Sequence, residues 1–162
     1  MLVAIISDTH MPRGPRALPA GCLERLAAAD LILHLGDVIT TSVLRDLEGI
    51  GPPLKAVRGN VDEPDLQRLL PLELVVEAET ARIGMVHDAG PAKGRLRRLW
   101  RRFPEAGAVI FGHSHLPVHE EEVGFQIFNP GSPTERRRAP SHTMGMLEVH
   151  GEHLDFALVH LD

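Results

Sequence analysis

Seven side chains in this sequence could hold metal ions: Asp8 and His10 in an Asp-x-His, Asp37 after Gly36, Asn60 after Gly59, the lone His87, and His113 and His115 in Gly-His-Ser-His. All are oxygen or imidazole donors. Such mixed sets suit hard or borderline divalent cations, whereas soft metals prefer sulfur. Mn²⁺ and Ni²⁺ fit best, with Fe, Zn and Co also served. Two ions bridged by one carboxylate make a clamp for phosphoryl chemistry, and Asp37 is the candidate bridge. Taken singly, the motifs are ordinary. Asp-x-His is a common capping pair, Gly-Asp and Gly-Asn are common turns, and His87 also fits a hydrogen-bonded core histidine. Two histidines in a tight turn after a buried strand are more specific. The joint occurrence, in this order, is what argues for a site.

The elements that must position these donors read from the apolar periodicity. Leu2 to Ser7, Leu31 to Leu35 and Leu54 to Val57 are apolar runs of the kind that form strands buried on both faces. Helical segments at 22–29, 42–47 and 63–70 alternate with them, which implies parallel pairing through right-handed crossovers. A hairpin over 73–79 and 82–86 follows. Residues 93–103 form the best helix, with Leu96, Leu99, Trp100 and Phe103 on one face. Ala108 to Phe111 is a buried strand that ends at Gly-His-Ser-His. Strands at 118–123 and 125–128 come next, then a last hairpin of 144–149 and 154–159. Every donor sits at or just beyond a strand end, where ligands gather in open α/β sheets.

At 162 residues the chain suits one domain, residues 1–162. The net charge of -5 argues against general nucleic-acid coating, so nucleic acid is not indicated as a partner. No apolar run approaches the roughly 20 residues that span a bilayer, and no membrane partner is expected. The single Cys22 cannot form an intramolecular disulfide, and the N-terminus lacks a signal-like basic region. Both point to the cytoplasm. A homodimer is the expected assembly.

In their order, these motifs resemble the calcineurin-like metallophosphoesterase superfamily, which shows Asp-x-His, Gly-Asp, Gly-Asn-His, a lone His and Gly-His-x-His. The short length and Asn129-Pro130-Gly131-Ser132 resemble its compact YfcE-type phosphodiesterase subfamily. The resemblance implies an α/β fold, a four-layer α/β/β/α sandwich of two mixed sheets flanked by helices. It implies that Asp8, His10 and His115 hold one ion, that Asn60, His87 and His113 hold a second, and that Asp37 bridges. Asp37, Asn60 and His87 are then the candidate catalytic residues. It implies hydrolysis of a small phosphodiester by a hydroxide held between two divalent ions.

Two positions depart from the pattern. Val61 stands where the larger enzymes follow Gly-Asn with a histidine thought to protonate the leaving group or bind phosphate, and valine cannot transfer a proton. Asp88 stands where His-Gly is usual, either as an orienter of a ligand histidine or as a solvated loop acid. Lys93, Arg95, Arg97, Arg98, Arg101 and Arg102 crowd one helix, as a solvated face or as an attractor for an anionic substrate. Arg136, Arg137 and Arg138 are candidates for phosphate contact, and His142 is a candidate replacement acid. His34 reads as a core residue or a neighbour of the site. Two alternatives stand beside the phosphodiesterase. One is a protein-binding scaffold that kept the fold and lost the chemistry, as in the retromer subunit that resembles this subfamily. The other is a phosphomonoesterase, which the missing acid at 61 disfavours.

Overall fold

The computed structural model describes residues 1–162. The apolar runs form strands as their patterning predicts. Strands β1 (Leu2–Ile6), β2 (Leu31–His34) and β3 (Leu54–Ala56) pair in parallel. They are joined by α1 (Ala20–Ala28) and α2 (Thr41–Glu48), and α3 (Pro64–Leu69) follows. Helix α2 starts where the Thr40 side chain accepts from Val43 N–H at 3.3 Å, satisfying one of the free donors of the first turn. Helix α3 starts with Pro64, whose missing N–H costs nothing at a first helical position.

The second half builds another sheet. Strands β4 (Glu73–Ala78) and β5 (Ala81–Val86) form the hairpin, followed by α4 (Arg95–Arg102), β6 (Ala108–Phe111), β7 (Val118–Glu122) and β8 (Phe125–Asn129). The last hairpin, β9 (Thr143–His150) and β10 (His153–His160), returns to the first sheet, where β9 lies antiparallel to β1. The sheet orders are β10-β9-β1-β2-β3 and β4-β5-β6-β8-β7, so both are mixed and five-stranded. Helix α4 is shorter than the expected 93–103, because Gly94 turns the chain through a left-handed φ of 69° just before it.

Three apolar layers hold the sandwich together. Val3, Ile5, Leu33 and Leu147 from the first sheet meet Ile83, Met85, Ile110 and Phe128 from the second. Leu26 and Leu47 pack α1 and α2 on the outer face of the first sheet. Leu99 and Phe103 pack the α4 region on the outer face of the second, with Trp100 stacked on Phe125 at 5.3 Å. The layers are therefore α/β/β/α. No helix is long and apolar enough to cross a membrane. Cys22 is buried in the outer core of the first sheet.

Most of the basic residues on α4 are held by protein partners. Arg95 pairs with Glu120 at 2.9 Å, Arg97 with Glu122 at 2.8 Å, and Arg102 with Glu73. Arg98 donates to the carbonyls of Ala89 and Pro91, each at 2.7 Å. These contacts fasten the helix to β4, to β7 and to the loop after His87.

Candidate metal centre

All seven donors lie at one end of the sandwich, and both sheets contribute. The loops after β1, β2 and β3 carry Asp8, His10, Asp37 and Asn60. The loops after β5 and β6 carry His87, His113 and His115. Five of the seven have left-handed backbone: Asp8 (φ 56°), His10 (47°), Asp37 (58°), His113 (67°) and His115 (59°). Non-glycine residues held there cost of order 1–3 kcal/mol each and cluster at functional sites.

The motif glycines make room for the carboxylates. A Cβ at Gly59 would lie 2.0 Å from Asp37 Oδ1 and 2.2 Å from the Asp37 backbone nitrogen. A Cβ at Gly112 would lie 1.9 Å from Ser7 Oγ and 2.7 Å from Asp8 Oδ2.

One cluster contains Asp8, His10 and His115. Asp8 Oδ2 accepts from Ser7 Oγ–H at 2.6 Å and from His113 N–H at 2.9 Å. That leaves Oδ1 free, 3.3 Å from His115 Nε2 and 3.9 Å from His10 Nε2. His115 Nδ1–H donates to the Glu135 carbonyl, so its Nε2 faces inward with a lone pair. Four buried side-chain polar atoms in the protein lack any partner, and three of them are Asp8 Oδ1, His10 Nε2 and His115 Nε2. Buried polar atoms are nearly always paired. Three orphans converging on one spot, all good cation donors, fit a divalent ion there.

The other cluster contains Asn60, His87 and His113. His87 Nδ1–H donates to the Leu35 carbonyl at 2.6 Å, which aims Nε2 at Asn60 Oδ1, 3.1 Å away. His113 Nδ1 lies 3.0 Å from the same Asn60 oxygen and 3.3 Å from His87 Nε2. Asp37 joins the clusters. Its Oδ2 is 3.4 Å from His10 Nε2 and 3.4 Å from His87 Nε2, while Oδ1 accepts from Val61 N–H at 3.0 Å.

Without a cation the groups share protons. Burial pushes Asp8 up to about 6, against the pull of His87 and Ser7. Burial also opposes charge on His87, but the hydrogen bond it donates to Asp37 and the nearby Asp8 outweigh it, and His87 rises to about 9. Asp37 falls to about 2, because His87, the Val61 amide and His10 overcome its burial. Burial lowers His10 and His115 and leaves them neutral lone-pair donors. His34 is buried behind the site and held down to about 3, chiefly by burial. Its Nδ1 accepts from Gly36 N–H at 3.2 Å, and its Nε2–H faces Thr9 Oγ at 3.1 Å.

Further residues support the donors: Asp62 and Glu135, which no motif marked, and the Asn129-Pro130-Gly131-Ser132 segment, which the resemblance did. Asp62 is buried and ties two donor loops, accepting from Ile39 N–H at 2.8 Å and Gly59 N–H at 2.6 Å. Ser132 Oγ–H donates to the Asp8 carbonyl at 2.9 Å, and Asn129 Nδ2–H donates to the Gly112 carbonyl at 2.9 Å. The Asn-Pro-Gly-Ser segment thus stitches the Asp8 loop to the Gly-His-Ser-His loop. Glu135 brings Oε2 to 3.7 Å from His10 Nε2. Asp88, weighed as an orienter, instead accepts from Gly90 N–H at 2.7 Å, because an aspartate readily closes a turn two residues on. Arg136 is tied to the carbonyls of Ala139 and Pro140, each at 3.1 Å. His142 is half-buried and pairs with Asp162 at 2.6 Å. Beside Asn60 and His87 opens a cleft of about 370 Å³, also lined by Arg58, Gln67, Leu72 and Arg102.

The model of the calcineurin-like phosphoesterase superfamily domain matches residues 1–152. The chain belongs to this superfamily. A probable metallophosphoesterase from Methanothermobacter thermautotrophicus is 33% identical over 161 residues, covering 98% of this chain and 92% of the relative. The phosphodiesterase YfcE of Escherichia coli is 27% identical, covering 91% of this chain and 88% of YfcE. Vps29 from Chaetomium thermophilum shares the fold with a TM-score of 0.81 at 21% identity, covering 98% of this chain and 96% of Vps29. The four-layer sandwich is thus the superfamily's fold, and two groups of the converging donors, Asp8 with His10 and His115 and Asp8 with Asp37 and His87, have ligand atoms close enough together to hold an ion.

Proposed function

We propose that this protein is a phosphodiesterase working with two divalent ions. Asp8, His10 and His115 would hold the first, Asn60, His87 and His113 would hold the second, and Asp37 would be shared between them. The observation that carries this reading is Asp37 Oδ2, equidistant at 3.4 Å from a donor nitrogen of each cluster. When bound, the ions would lower the pKa of a water to make it a nucleophile near neutral pH and neutralise charge growing on the phosphoryl oxygens.

The protein's own part is to hold the donors in place beforehand. The Leu35 and Glu135 carbonyls fix the tautomers of His87 and His115, and Ser7 and the His113 amide orient Asp8. Outer partners of this kind tune metal affinity and ligand orientation. The cleft beside Asn60 and His87, at about 370 Å³, is large enough for one substituent of a diester. Nothing at position 61 can donate a proton, since Val61 offers only its backbone N–H, already given to Asp37. This favours diesters with good leaving groups over monoesters of alcohols. The three orphaned donors weigh against a metal-free scaffold, because each unpaired buried group costs about 1–3 kcal/mol with no return. With its lone buried thiol, the protein suits the reducing cytoplasm.

The test is an assay of purified protein with Mn²⁺ or Ni²⁺ against aryl phosphodiesters and monoesters. Diester hydrolysis abolished by chelation and restored by metal is the expected result. Bound metal without hydrolysis of either class would refute the proposal in favour of the scaffold.

A further inference from the structure

We propose that Glu135 is a fifth protein ligand of the first ion, an addition to Asp8, His10, Asp37 and His115. The inference rests on the two-ion reading above. Glu135 lies in the stretch Thr134-Glu135-Arg136-Arg137-Arg138, where the sequence marks the arginines as candidates for phosphate contact and assigns the glutamate nothing. The structure brings the glutamate to the first cluster.

Glu135 Oε2 is 3.7 Å from His10 Nε2. Asp8 Oδ1 lies 3.9 Å from the same nitrogen, so Oε2 approaches His10 Nε2 as closely as that carboxylate does. It does so at the edge of the group formed by Asp8, His10 and His115, whose donor atoms lie within 4.8 Å of one another. His10 Nε2, the atom it faces, is one of the buried atoms with no hydrogen-bond partner.

The rest of Glu135 is fixed for this role. Its N–H donates to Ser132 Oγ at 2.9 Å, and its carbonyl accepts from His115 Nδ1–H. Its other carboxylate oxygen, Oε1, is engaged by Arg16 at 3.3 Å and Arg137 at 3.7 Å. Oε2 is the oxygen left over. Its side chain is only 26% exposed, so it is not a free surface acid.

Charge and chemistry agree. Among the seven motif donors only Asp8 and Asp37 carry formal negative charge. A third carboxylate offsets more of the charge of two divalent ions. It also turns the first site into a set dominated by oxygen, which moves preference toward Mn²⁺ and away from softer metals. Val61 removes a histidine from one side of the centre, and Glu135 adds a carboxylate on the other.

The test is titration of metal-free protein with Mn²⁺ and with Ni²⁺ by calorimetry, with circular dichroism to check folding. Wild type should bind two ions. Glu135→Ala should weaken one of them by at least about tenfold, the lower end of the loss seen for mere outer partners, and by more for Mn²⁺ than for Ni²⁺. Glu135→Gln, which keeps an oxygen donor and adds no cavity, should fall between and serves if the alanine variant misfolds. Glu152→Ala, which removes an exposed carboxylate from the β9–β10 turn, should not weaken the ion. Two ions bound at wild-type affinity by the folded Glu135 variants would overturn the proposal, as would an equal loss in Glu152→Ala. Wild type binding fewer than two ions would instead overturn the two-ion reading on which it rests.

Discussion

Replacing Gly59 with alanine is the sharpest probe of the bridge, because it adds one methyl and removes no donor. The new Cβ would sit 2.0 Å from Asp37 Oδ1, 2.2 Å from the Asp37 nitrogen and 2.7 Å from its Cγ. Ordinary contact requires about 3.4 Å, so the two loops must part by over 1 Å. The backbone nitrogen cannot swing aside as a long side chain could. Asp62 resists the parting, since it grips Gly59 N–H and Ile39 N–H together. Overpacking of this kind costs about 1–3 kcal/mol, which for a chain of this size lowers the midpoint by roughly 2–12 °C. The functional loss should be larger, because a misplacement of about 1 Å can cost on the order of 10²-fold in rate. We expect a folded Gly59→Ala protein, with kcat/KM on an aryl phosphodiester down about 10²-fold and less than a full complement of metal by elemental analysis. Gly107→Ala is the control, since its Cβ would meet nothing closer than 3.7 Å. Wild-type turnover and metal content in Gly59→Ala would show that Asp37 need not sit where it does, and the bridging argument would fail.

Other outcomes follow from the same geometry. Asp37→Ala should lose nearly all activity and most bound metal while circular dichroism stays unchanged; normal metal content with activity would exclude a bridge. His87 holds its proton up to about 9 in the metal-free protein. Below that pH a cation must displace the proton, so apparent affinity should rise with pH until about 9, and binding at neutral pH should release protons. Calorimetry in buffers of different ionisation enthalpy reads this directly, and a buffer-independent heat would contradict it. With Val61 unable to protonate a leaving group, rates on a diester series should fall steeply as leaving-group pKa rises, and Val61→His should flatten the slope. A flat slope in wild type, with chemistry rate-limiting, would mean that another residue supplies the proton.

Every expected strand and helix occurs in the structure, because the signals are local. Leu2 to Ile6 and Ala108 to Phe111 are continuous apolar runs, and Gly, Pro and Asp punctuate them. The seven donors were equally visible, since each directly follows such a run. What stayed hidden depends on contacts between distant parts of the chain. That β9 pairs with β1 is a partnership across more than a hundred residues, with Leu2 opposite Glu148. Ser132 reaches the Asp8 carbonyl, and Thr134 Oγ–H reaches the Thr9 carbonyl at 2.7 Å. Asp62 looked like an ordinary turn acid after Gly-Asn. Glu135 was masked by three following arginines. The left-handed backbone at the donors leaves no mark on composition at all. The arginines of α4 illustrate the converse, a conspicuous run whose partners are mostly glutamates and loop carbonyls.

The placement of donors explains why a short chain can carry such a centre. Each cluster draws on both sheets: Asp8 and His10 from the first sheet with His115 from the second, and Asn60 from the first with His87 and His113 from the second. Asp37 comes from the first sheet, but its Oδ2 sits midway between the two groups. The loops that carry these residues are not independent. Asp62 joins the second to the third, Leu35 fixes His87 across the sheet interface, and the Asn129 to Thr134 segment joins the first to the Gly-His-Ser-His turn. The left-handed backbone of five donors is therefore held by the packed sandwich beneath. A centre assembled in this way has already met most of its ordering cost in the folding of the two sheets. That is the physical sense in which the inter-sheet core of Ile5, Leu33, Met85 and Ile110 belongs to the site: it holds the two halves of each proposed metal site in register.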